Sequence, residues 1–188
     1  MSLFGVDVPD GFAYRDECLS VAEEAELVAH ISQIAFAAFE MRGVVARRRV
    51  SFYGASYDLG DGPSPPIPEF LRPVRARLAE WAGLAPEAFA MALINEYTTG
   101  APIGWHRDAP QYDITAGVSL LSSCRMRFRP YLPPQQAASN TVRRVTTHEI
   151  TLERRSGYII GGESRSGYEH SIPAVSALRY SITFRSLR

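Results

Sequence analysis

The chain has 188 residues, of which 46% are hydrophobic and 21% charged, a composition typical of a globular protein that buries a core. Lysine is absent, and the net charge of zero argues against a strongly basic nucleic-acid-binding protein. We see no signal peptide and no apolar run approaching the roughly 18 residues of a membrane span. Cys18 and Cys124 are too few for a disulfide framework, so the sequence predicts one cytoplasmic domain with reduced thiols.

The N-terminal part of the chain predicts helices. Ser20 and Glu23 have the spacing of a capping box, in which each side chain bonds the backbone N–H of the other residue. Apolar residues at helical spacing then predict a helix over about residues 20–40 with one buried face. The residues of that face are Leu27, Val28, Ile31, Ile34, Ala35 and Ala38.

A basic, β-rich stretch, residues 44–53 (VVARRRVSFY), interrupts this pattern, and the Pro/Gly-rich residues 60–68 predict a loop. A second helix is predicted over residues 68–83, with Pro73 in its first turn or at a kink. Its inward residues would be Phe70, Leu71, Val74, Leu78 and Trp81. Residues 1–88 are therefore expected to supply helical support and a substrate lid.

From residue 89 onward the chain predicts strands. The segment from Phe89 to Tyr97 alternates, and the residues expected on one face are Phe89, Met91, Leu93, Asn95 and Tyr97. Residues 130–140 predict a loop. Further strands are predicted at residues 118–121, 124–129, 142–153, 157–161, 168–172 and 178–186. Helices followed by many short strands indicate an α+β fold, a β-sandwich or barrel with helices packed outside.

The segment GWHRDAPQYD, residues 104–113, sets a histidine and an acid two residues apart. His106 and Asp108 at the end of a strand would point the same way, and a distant second histidine would complete a 2-His-1-carboxylate iron site. Such a pair alone is a weak signal because it occurs by chance in many proteins. His170, after the turn-rich GGESRSG, is the candidate second histidine, and His148, with no such turn, is the rival.

The C-terminal segment RYSITFR, residues 179–185, predicts a strand with one polar face. That face carries Arg179, Ser181, Thr183 and Arg185, and the other carries Tyr180, Ile182 and Phe184. An arginine at each end of a polar face favours a pocket for an anion, because arginine is the bidentate partner of carboxylates. We expect the two arginines to close on one small dicarboxylate.

Three segments together resemble the AlkB-type 2-oxoglutarate- and Fe(II)-dependent dioxygenases. NEYTTGAPIGWHRD is similar to the family's N-x-Y, glycine and H-x-D pattern, GGESRSGYEH to its turn before the second histidine, and RYSITFR to its R-x-N-x-T-F-R. The resemblance covers about residues 45–188 and implies a double-stranded β-helix, or cupin-like jelly roll, with the site in its mouth. Residues 89–188 would form this catalytic core, with the N-terminal helices packed on the outside.

The resemblance also implies roles for individual residues. The iron ligands would be His106, Asp108 and His170. The residues that bind 2-oxoglutarate would be Arg179 and Arg185, one at each end, together with Asn95 and Tyr97. Ser181 stands where the family has asparagine, and it keeps a hydrogen-bonding group on a shorter side chain.

The activity implied by the resemblance is oxidative decarboxylation of 2-oxoglutarate to succinate and CO₂, with O₂ as cosubstrate, coupled to hydroxylation of a C–H bond. In the family that bond typically lies in an N-alkyl group of a nucleobase, and the product releases an aldehyde. The substrate prediction is therefore alkylated single-stranded DNA or RNA, as in DNA repair. The alternatives are an oxygenase acting on a protein or small molecule and a non-catalytic metal-binding jelly roll. We expect a monomer without a membrane partner.

Residues 47–62, RRRVSFYGASYDLGDG, resemble the family's nucleotide-recognition lid. Arg47, Arg48 and Arg49 would contact phosphate, and Phe52, Tyr53 or Tyr57 would stack on a base. The alternative is an edge strand with its arginines in solvent and its aromatic residues in the core.

One departure from the family weakens the nucleic-acid interpretation. Ala109 and Pro110 follow Asp108 where many repair members carry an acid that reads the base, and Asp113 is the nearest acid. The arginine pairs at 143–144 and 154–155 could extend a basic surface, although such pairs are usually just solvated. Three further residues are expected to be structural or solvated: His30 in solvent, Trp105 in packing and Cys124 in the core.

Overall fold

The computed structural model describes residues 8–41, 44–55, 64–133 and 146–188, and no helix in these residues is long and apolar enough to cross a membrane. Within these residues, three helices, α1 to α3, and eleven strands, β1 to β11, follow in chain order. They are β1 (Phe12–Arg15), α1 (Val21–Ile31), β2 (Ala37–Met41), β3 (Val44–Gly54), α2 (Arg72–Trp81), β4 (Phe89–Tyr97), β5 (Ile103–His106), β6 (Tyr112–Leu120), β7 (Cys124–Pro130), β8 (His148–Leu152), β9 (Gly157–Ile160), α3 (Gly162–Ser166), β10 (Tyr168–Ile172) and β11 (Arg179–Leu187).

Helix α1 begins with the predicted capping box, since the Glu23 N–H donates to Ser20 Oγ and the Ser20 N–H donates to Glu23 Oε2 at 2.8 Å. The prediction that this helix continues to about residue 40 is wrong. The helix ends at Ile31, and the chain then enters β2, which contains Ala38. Pairing with β3 satisfies the backbone of this segment, so its helical spacing of apolar residues is overridden.

Helix α2 confirms the predicted second helix. A 3₁₀ turn over Glu69–Leu71 precedes it, and Pro73 lies in its first turn, where its missing N–H removes no helical hydrogen bond. Leu71, Val74 and Leu78 are buried, as the helical spacing predicts.

The larger sheet has seven antiparallel strands in the order β1-β9-β6-β11-β4-β3-β2. Strands β1 and β2 were not predicted, and β6 begins at Tyr112, earlier than the predicted residue 118. Both unpredicted strands are short and lie at the two edges of the sheet, where one-sided pairing requires little sequence pattern. Residues 1–88, expected to supply helical support and a lid, therefore also contribute three strands, β1, β2 and β3, to the sheet.

The smaller sheet has four strands in the order β5-β10-β7-β8. Strands β7, β8 and β10 lie within or close to the predicted ranges, and Cys124, Met126 and Phe128 are buried as expected. Cys18 and Cys124 are both free thiols. The GGESRSG segment, predicted as a turn, forms the short helix α3.

Two cores separate the layers of the fold. One lies between the helices and the larger sheet and includes Leu27, Leu78, Ile94, Val118 and Ile182. The other lies between the two sheets and includes Met126, Phe128, Leu152, Ile160 and Ile172. The helices therefore pack outside a pair of sheets, which is the predicted α+β arrangement.

Strand β4 differs from its predicted alternation at one end. Met91 and Leu93 belong to one apolar cluster with Val50, whereas Phe89 packs in the helix-side core with Ala92. A register shift explains this, since Arg185 of β11 pairs with Met91 and Ser186 pairs with Phe89. The extra residue reverses the face of Phe89.

Glu24 of α1 connects the helix to the segments that follow β6 and β8. Glu24 is 1% exposed, and its carboxylate accepts from the Leu121 N–H at 2.8 Å and from Arg154 Nε at 2.6 Å. Arg155 Nη1 lies 3.7 Å from the same carboxylate. The arginine pair at 154–155 therefore binds Glu24, a role that neither of the two sequence interpretations, an extended basic surface or solvated side chains, included.

Gly117 creates space for an aromatic side chain between the sheets. It pairs with Tyr158 across the β6–β9 ladder, and a Cβ added at Gly117 would lie 2.7 Å from Tyr158 Cζ and Oη. That Cβ would also lie 3.0 Å from the backbone oxygen of Ile182. Any larger residue at position 117 would force Tyr158 to move.

We expect Gly117→Ala to lower the free energy of unfolding by about 1–3 kcal/mol. The added methyl group would push the buried ring of Tyr158 aside, and the backbone oxygen of Ile182 on its other side cannot move away. The measurement is urea unfolding of the purified protein. Gly104→Ala is the matched control, since a Cβ there meets no atom within 4 Å. Equal stability of the two variants would contradict this account of Gly117.

Candidate active site

Two histidines and one aspartate meet at the mouth of the space between the sheets. His106 ends β5 and is the register partner of His170 in β10, while Asp108 follows His106 by two residues. One potential ligand atom from each of the three lies within 4.8 Å of the others. The structure thus brings together the three residues predicted as metal ligands, and their donor set suits a 2-His-1-carboxylate iron centre.

Asp108 is held as a carboxylate. Arg185 Nη2 donates to its Oδ1 at 3.0 Å, and Thr115 Oγ1 donates to its Oδ2 at 2.7 Å. Burial raises the pKa of Asp108, but the charge of Arg185 and the Thr115 hydrogen bond hold it well below its usual range. The side chain is 5% exposed and stays ionised at neutral pH.

Both histidines are neutral. Burial, with the adjacent His106, lowers the pKa of His170 to about 3, and burial also lowers the pKa of His106. His106 Nδ1 lies 2.9 Å from the Gly104 carbonyl oxygen, which can only accept, so Nδ1 carries the proton. The lone pair of Nε2 is then free for a metal ion, which binds neutral imidazole.

An inner cavity of about 460 Å³ extends from this cluster into the space between the sheets. Its polar wall comes from β4 and β11, where Asn95 is the register partner of Ser181 and Tyr97 is the partner of Arg179. Asn95, Tyr97, Ser181 and Thr183 all line the cavity, so the predicted polar face of β11 and the predicted face of β4 meet there.

Arg179 is fully buried behind this wall, with its guanidinium 5.1 Å from the centre of the Tyr97 ring. Its Nε donates to Ser119 Oγ at 2.9 Å, while Nη1 and Nη2 have no hydrogen-bond partner among the described residues. An unpaired buried guanidinium is costly unless a ligand supplies acceptors. These two nitrogens suit a carboxylate, so the residues present fit 2-oxoglutarate.

The sequence interpretation had Arg185 binding one end of a dicarboxylate. In the structure its guanidinium already has partners in the protein. It lines the inner cavity, but Nη2 bonds Asp108 and Nη1 lies 3.3 Å from Thr183 Oγ1. The reason is proximity, since the loop after β5 places the Asp108 carboxylate beside the end of β11. The two arginines therefore have different surroundings. Arg179 has two nitrogens without a partner among the described residues, whereas Arg185 is hydrogen-bonded to Asp108.

Sequence reasoning missed two residues of the site. Tyr158 of β9 lines the inner cavity, and burial raises the pKa of its phenol well above the usual range, so its hydroxyl stays protonated. Arg165 of α3 donates to the carbonyl oxygens of Ala109 at 2.6 Å and Tyr112 at 3.0 Å, which pins the loop after Asp108. A tyrosine in the otherwise aliphatic strand GYII was the available signal for Tyr158.

An outer cavity of about 1170 Å³ joins the inner one at His106 and Asp108. Arg47, Arg107 and Arg188 line it and are exposed, and none of them forms an ion pair with a described carboxylate. Arg107 stacks on the ring of Tyr131, with Cζ 3.5 Å from the ring centre. Positive charge and an aromatic face therefore lie together on the outer side of the metal-ligand candidates.

The predicted lid residues divide between the two faces of β3. Arg48 and Phe52 line the inner cavity and Arg47 the outer one. Arg49 instead pairs with Glu96 at 2.6 Å, and Tyr53 packs in the helix-side core. Tyr57 and the arginines at 143–144 lie outside the described residues.

The alternative site residues lie elsewhere. His148 is at the edge strand β8, with its ring 5.8 Å from that of Tyr168, and it is not part of the cluster. His30 is exposed and stacks on Phe70 at 4.7 Å. Trp105 packs on the outer face of the smaller sheet beneath Arg127 and Arg129, as expected for a packing residue.

Comparisons with known proteins agree with this geometry. A family model described as the 2OG-Fe(II) oxygenase superfamily matches residues 25–185. The chain is similar to the structure of OsALKBH1, with 15% identity and a TM-score of 0.70 over 95% of this chain and 99% of that chain. It is also similar to a Pseudomonas putida prolyl-4-hydroxylase, with 12% identity and a TM-score of 0.62 over 95% and 93% of the two chains. No curated protein sequence gives a significant match.

The two structural similarities are similarities of fold. Both span nearly the whole chain, and together with the two facing antiparallel sheets they confirm the predicted double-stranded β-helix.

We expect His170→Ala to abolish binding of one Mn(II) ion per chain, because two ligands cannot hold the ion in this open site. Isothermal titration calorimetry under argon measures the binding. His148→Ala is the control and should bind Mn(II) as the unchanged protein does. Loss of binding in His148→Ala with retention in His170→Ala would reverse the choice between the two histidines.

Proposed function

The chain belongs to the 2OG-Fe(II) oxygenase superfamily, and from that premise we propose that it oxidatively dealkylates N-alkylated nucleobases in DNA or RNA. It is a dioxygenase that uses Fe(II), 2-oxoglutarate and O₂. When bound, Fe(II) and 2-oxoglutarate supply the oxidising chemistry, in which 2-oxoglutarate becomes succinate and CO₂ while a substrate C–H bond is hydroxylated. A hydroxylated N-alkyl group then breaks its C–N bond to give the free base and an aldehyde.

We assign the metal to His106, Asp108 and His170. The two neutral histidines and the ionised carboxylate present the charge state that a divalent ion requires. Arg185 and Thr115 hold the carboxylate, and the Gly104 carbonyl orients the His106 ring. Such supporting contacts fix ligand direction.

We assign the cosubstrate to the inner cavity. The unpaired nitrogens of Arg179 would bind a carboxylate, and Asn95, Tyr97 and Ser181 provide hydrogen-bonding groups along the same wall. Ser181 has a shorter side chain than the asparagine that the resemblance implies. Tyr158, whose hydroxyl is protonated, lines the same cavity.

The observation that carries the substrate proposal is the positive outer cavity. In a chain of zero net charge, three exposed arginines lie around the opening to the metal-ligand candidates. Arg47, Arg107 and Arg188 suit a phosphate backbone, and the Arg107–Tyr131 stack offers a face for a base. The apolar inner mouth, which includes Phe39 and Phe52, would receive a base turned out of its strand.

Hydroxylation of a protein or small molecule is the second candidate function. Ala109 and Pro110 follow Asp108 with no acid to read a base, and Asp113 lines neither cavity. Similarity to the prolyl-4-hydroxylase fits this candidate as well as similarity to OsALKBH1 fits the first. A role in DNA repair, a cytoplasmic location and a monomeric state stay predictions.

Replacement of the unpaired arginine tests the cosubstrate assignment. We expect Arg179→Met to weaken 2-oxoglutarate binding by about 10- to 100-fold, because charge-assisted hydrogen bonds to a carboxylate are lost. The measurement is calorimetric titration of 2-oxoglutarate into the Mn(II)-loaded protein without O₂. Arg125→Met, on an exposed arginine of the smaller sheet, is the control. An unchanged affinity in Arg179→Met would place the cosubstrate elsewhere.

Substrate class is tested by binding and turnover of single-stranded DNA that carries N-methylated bases. We expect formaldehyde release, and binding that weakens as salt rises. Arg107→Gln and Arg47→Gln should each reduce the slope of log affinity against log salt by about 0.7, the value for one lost phosphate contact. Arg125→Gln should leave the slope unchanged. Succinate formation with no formaldehyde and no salt-dependent binding would favour the second candidate function.

A further inference from the structure

Arg48 is a buried arginine on a strand whose neighbouring arginines are exposed. Arg47 and Arg49 are exposed, whereas Arg48 is 7% exposed and shares the inward face of β3 with Val50 and Phe52. Its Cζ lies 4.3 Å from the centre of the Phe39 ring. The guanidinium thus lies over an aromatic ring in the wall of the inner cavity.

Arg48 adjoins the metal-ligand candidates on the substrate side. It lines the inner and the outer cavity, and His106 and Asp108 are the residues at which those cavities join. Arg48 therefore belongs, with His106 and Asp108, to the wall that the two cavities share.

Two of the three nitrogens of the Arg48 guanidinium find no acceptor in the part of the chain that the structure describes. Its Nε and Nη1 are buried and have no hydrogen-bond partner among the described residues. Both oxygens of Asp108 are taken by Arg185 and Thr115, and Glu40, which is exposed at the rim of the inner cavity, forms no ion pair with Arg48. Burial lowers the pKa of Arg48, while the interaction with Tyr97 raises it and the nearby charge of Arg185 lowers it.

We propose that Arg48 is the receptor for a hydrogen-bond acceptor on the substrate, so that the group presented to the metal centre is neutral or anionic and not cationic. The proposal rests on the nucleic-acid function proposed above and narrows it. N-alkylated bases differ in charge at neutral pH: N1-methylguanine is neutral and keeps its carbonyl oxygen, whereas N1-methyladenine is a cation.

The carboxylates around the cavities support this choice. A cationic base would be favoured by a free acid beside the metal centre, yet Asp108 is engaged there by Arg185. Glu169 of the outer cavity pairs with Arg129 at 2.7 Å, and Glu40 is exposed at the rim of the inner cavity. An unpaired guanidinium repels a cation in a site of low dielectric and donates to a carbonyl oxygen. N1-methylguanine presents its carbonyl next to the methylated nitrogen, so one donor can read the base at the reacting group.

The experiment compares two single-stranded oligonucleotides that differ only in carrying N1-methylguanine or N1-methyladenine. We expect kcat/KM of the Fe(II)-loaded enzyme to favour N1-methylguanine by about 10- to 100-fold. Arg48→Met should lower that preference about tenfold, chiefly through slower turnover of the neutral base. Arg47→Met, which removes a neighbouring exposed arginine, should lower kcat/KM for both oligonucleotides equally and keep the preference.

Three results would overturn the proposal: faster or equal turnover of the cationic base, a preference unchanged by Arg48→Met, and an Arg48→Met defect confined to 2-oxoglutarate binding. The last would assign Arg48 to the cosubstrate. Calorimetric titration of 2-oxoglutarate into Mn(II)-loaded Arg48→Met, without O₂, separates that result from a defect in substrate recognition.

A second measurement decides the role of Arg48 if neither oligonucleotide is dealkylated, which would refute the nucleic-acid function alone. Thermal unfolding of the metal-free protein is followed in sodium acetate and in sodium chloride of equal ionic strength. Acetate is expected to raise the midpoint of the unchanged protein more than that of Arg48→Met, because it supplies an acceptor to the buried guanidinium. Equal stabilisation of both proteins by acetate would show that Arg48 is not an acceptor receptor.

Discussion

The buried ion pair between Arg185 and Asp108 is the interaction on which the site depends. A carboxylate removed from water is costly unless it is paired and hydrogen-bonded, and Arg185 with Thr115 satisfies both oxygens of Asp108. The pair keeps the acid ionised beside two neutral histidines. Arg185 lies in β11, with β4 on one side and β6 on the other, so formation of the larger sheet also positions the metal-ligand candidate.

Arginine performs three physically different tasks in this chain. Some arginines compensate an acid, as Arg154 does for Glu24, and Arg165 instead fixes a loop through backbone carbonyls. Arg179 and Arg48 belong to a third group, with buried nitrogens that no described residue accepts from. Arg48 lines the inner cavity, and Arg179 is buried beside Tyr97, which lines the same cavity. That charge arrangement underlies both the cosubstrate assignment and the inferred preference for an acceptor-bearing substrate.

Local charge and net charge carry different information here. The chain is neutral overall, which argued against a strongly basic nucleic-acid-binding protein, yet three exposed arginines, Arg47, Arg107 and Arg188, line the outer cavity. Counterion release depends on the few side chains near phosphate and not on the total charge. The neutral composition therefore does not exclude a nucleic-acid substrate, and the buried arginine, rather than the net charge, bears on which base the site would accept.

The sequence by itself determined the α+β class, the strands β3, β4, β7 and β11, and the three metal-ligand candidates, because alternation and motif spacing are local properties of the chain. The prediction from sequence that β11 has one polar face is also correct. Tertiary structure decided that helix α1 stops at Ile31, that Phe89 changes face, and that Arg154 serves Glu24. It alone decided that Arg185 bonds Asp108, whereas two nitrogens each of Arg48 and Arg179 meet no acceptor in the described ranges. The partner of a long side chain lies on a strand that is distant in sequence. A local sequence pattern therefore cannot predict which residue that partner is.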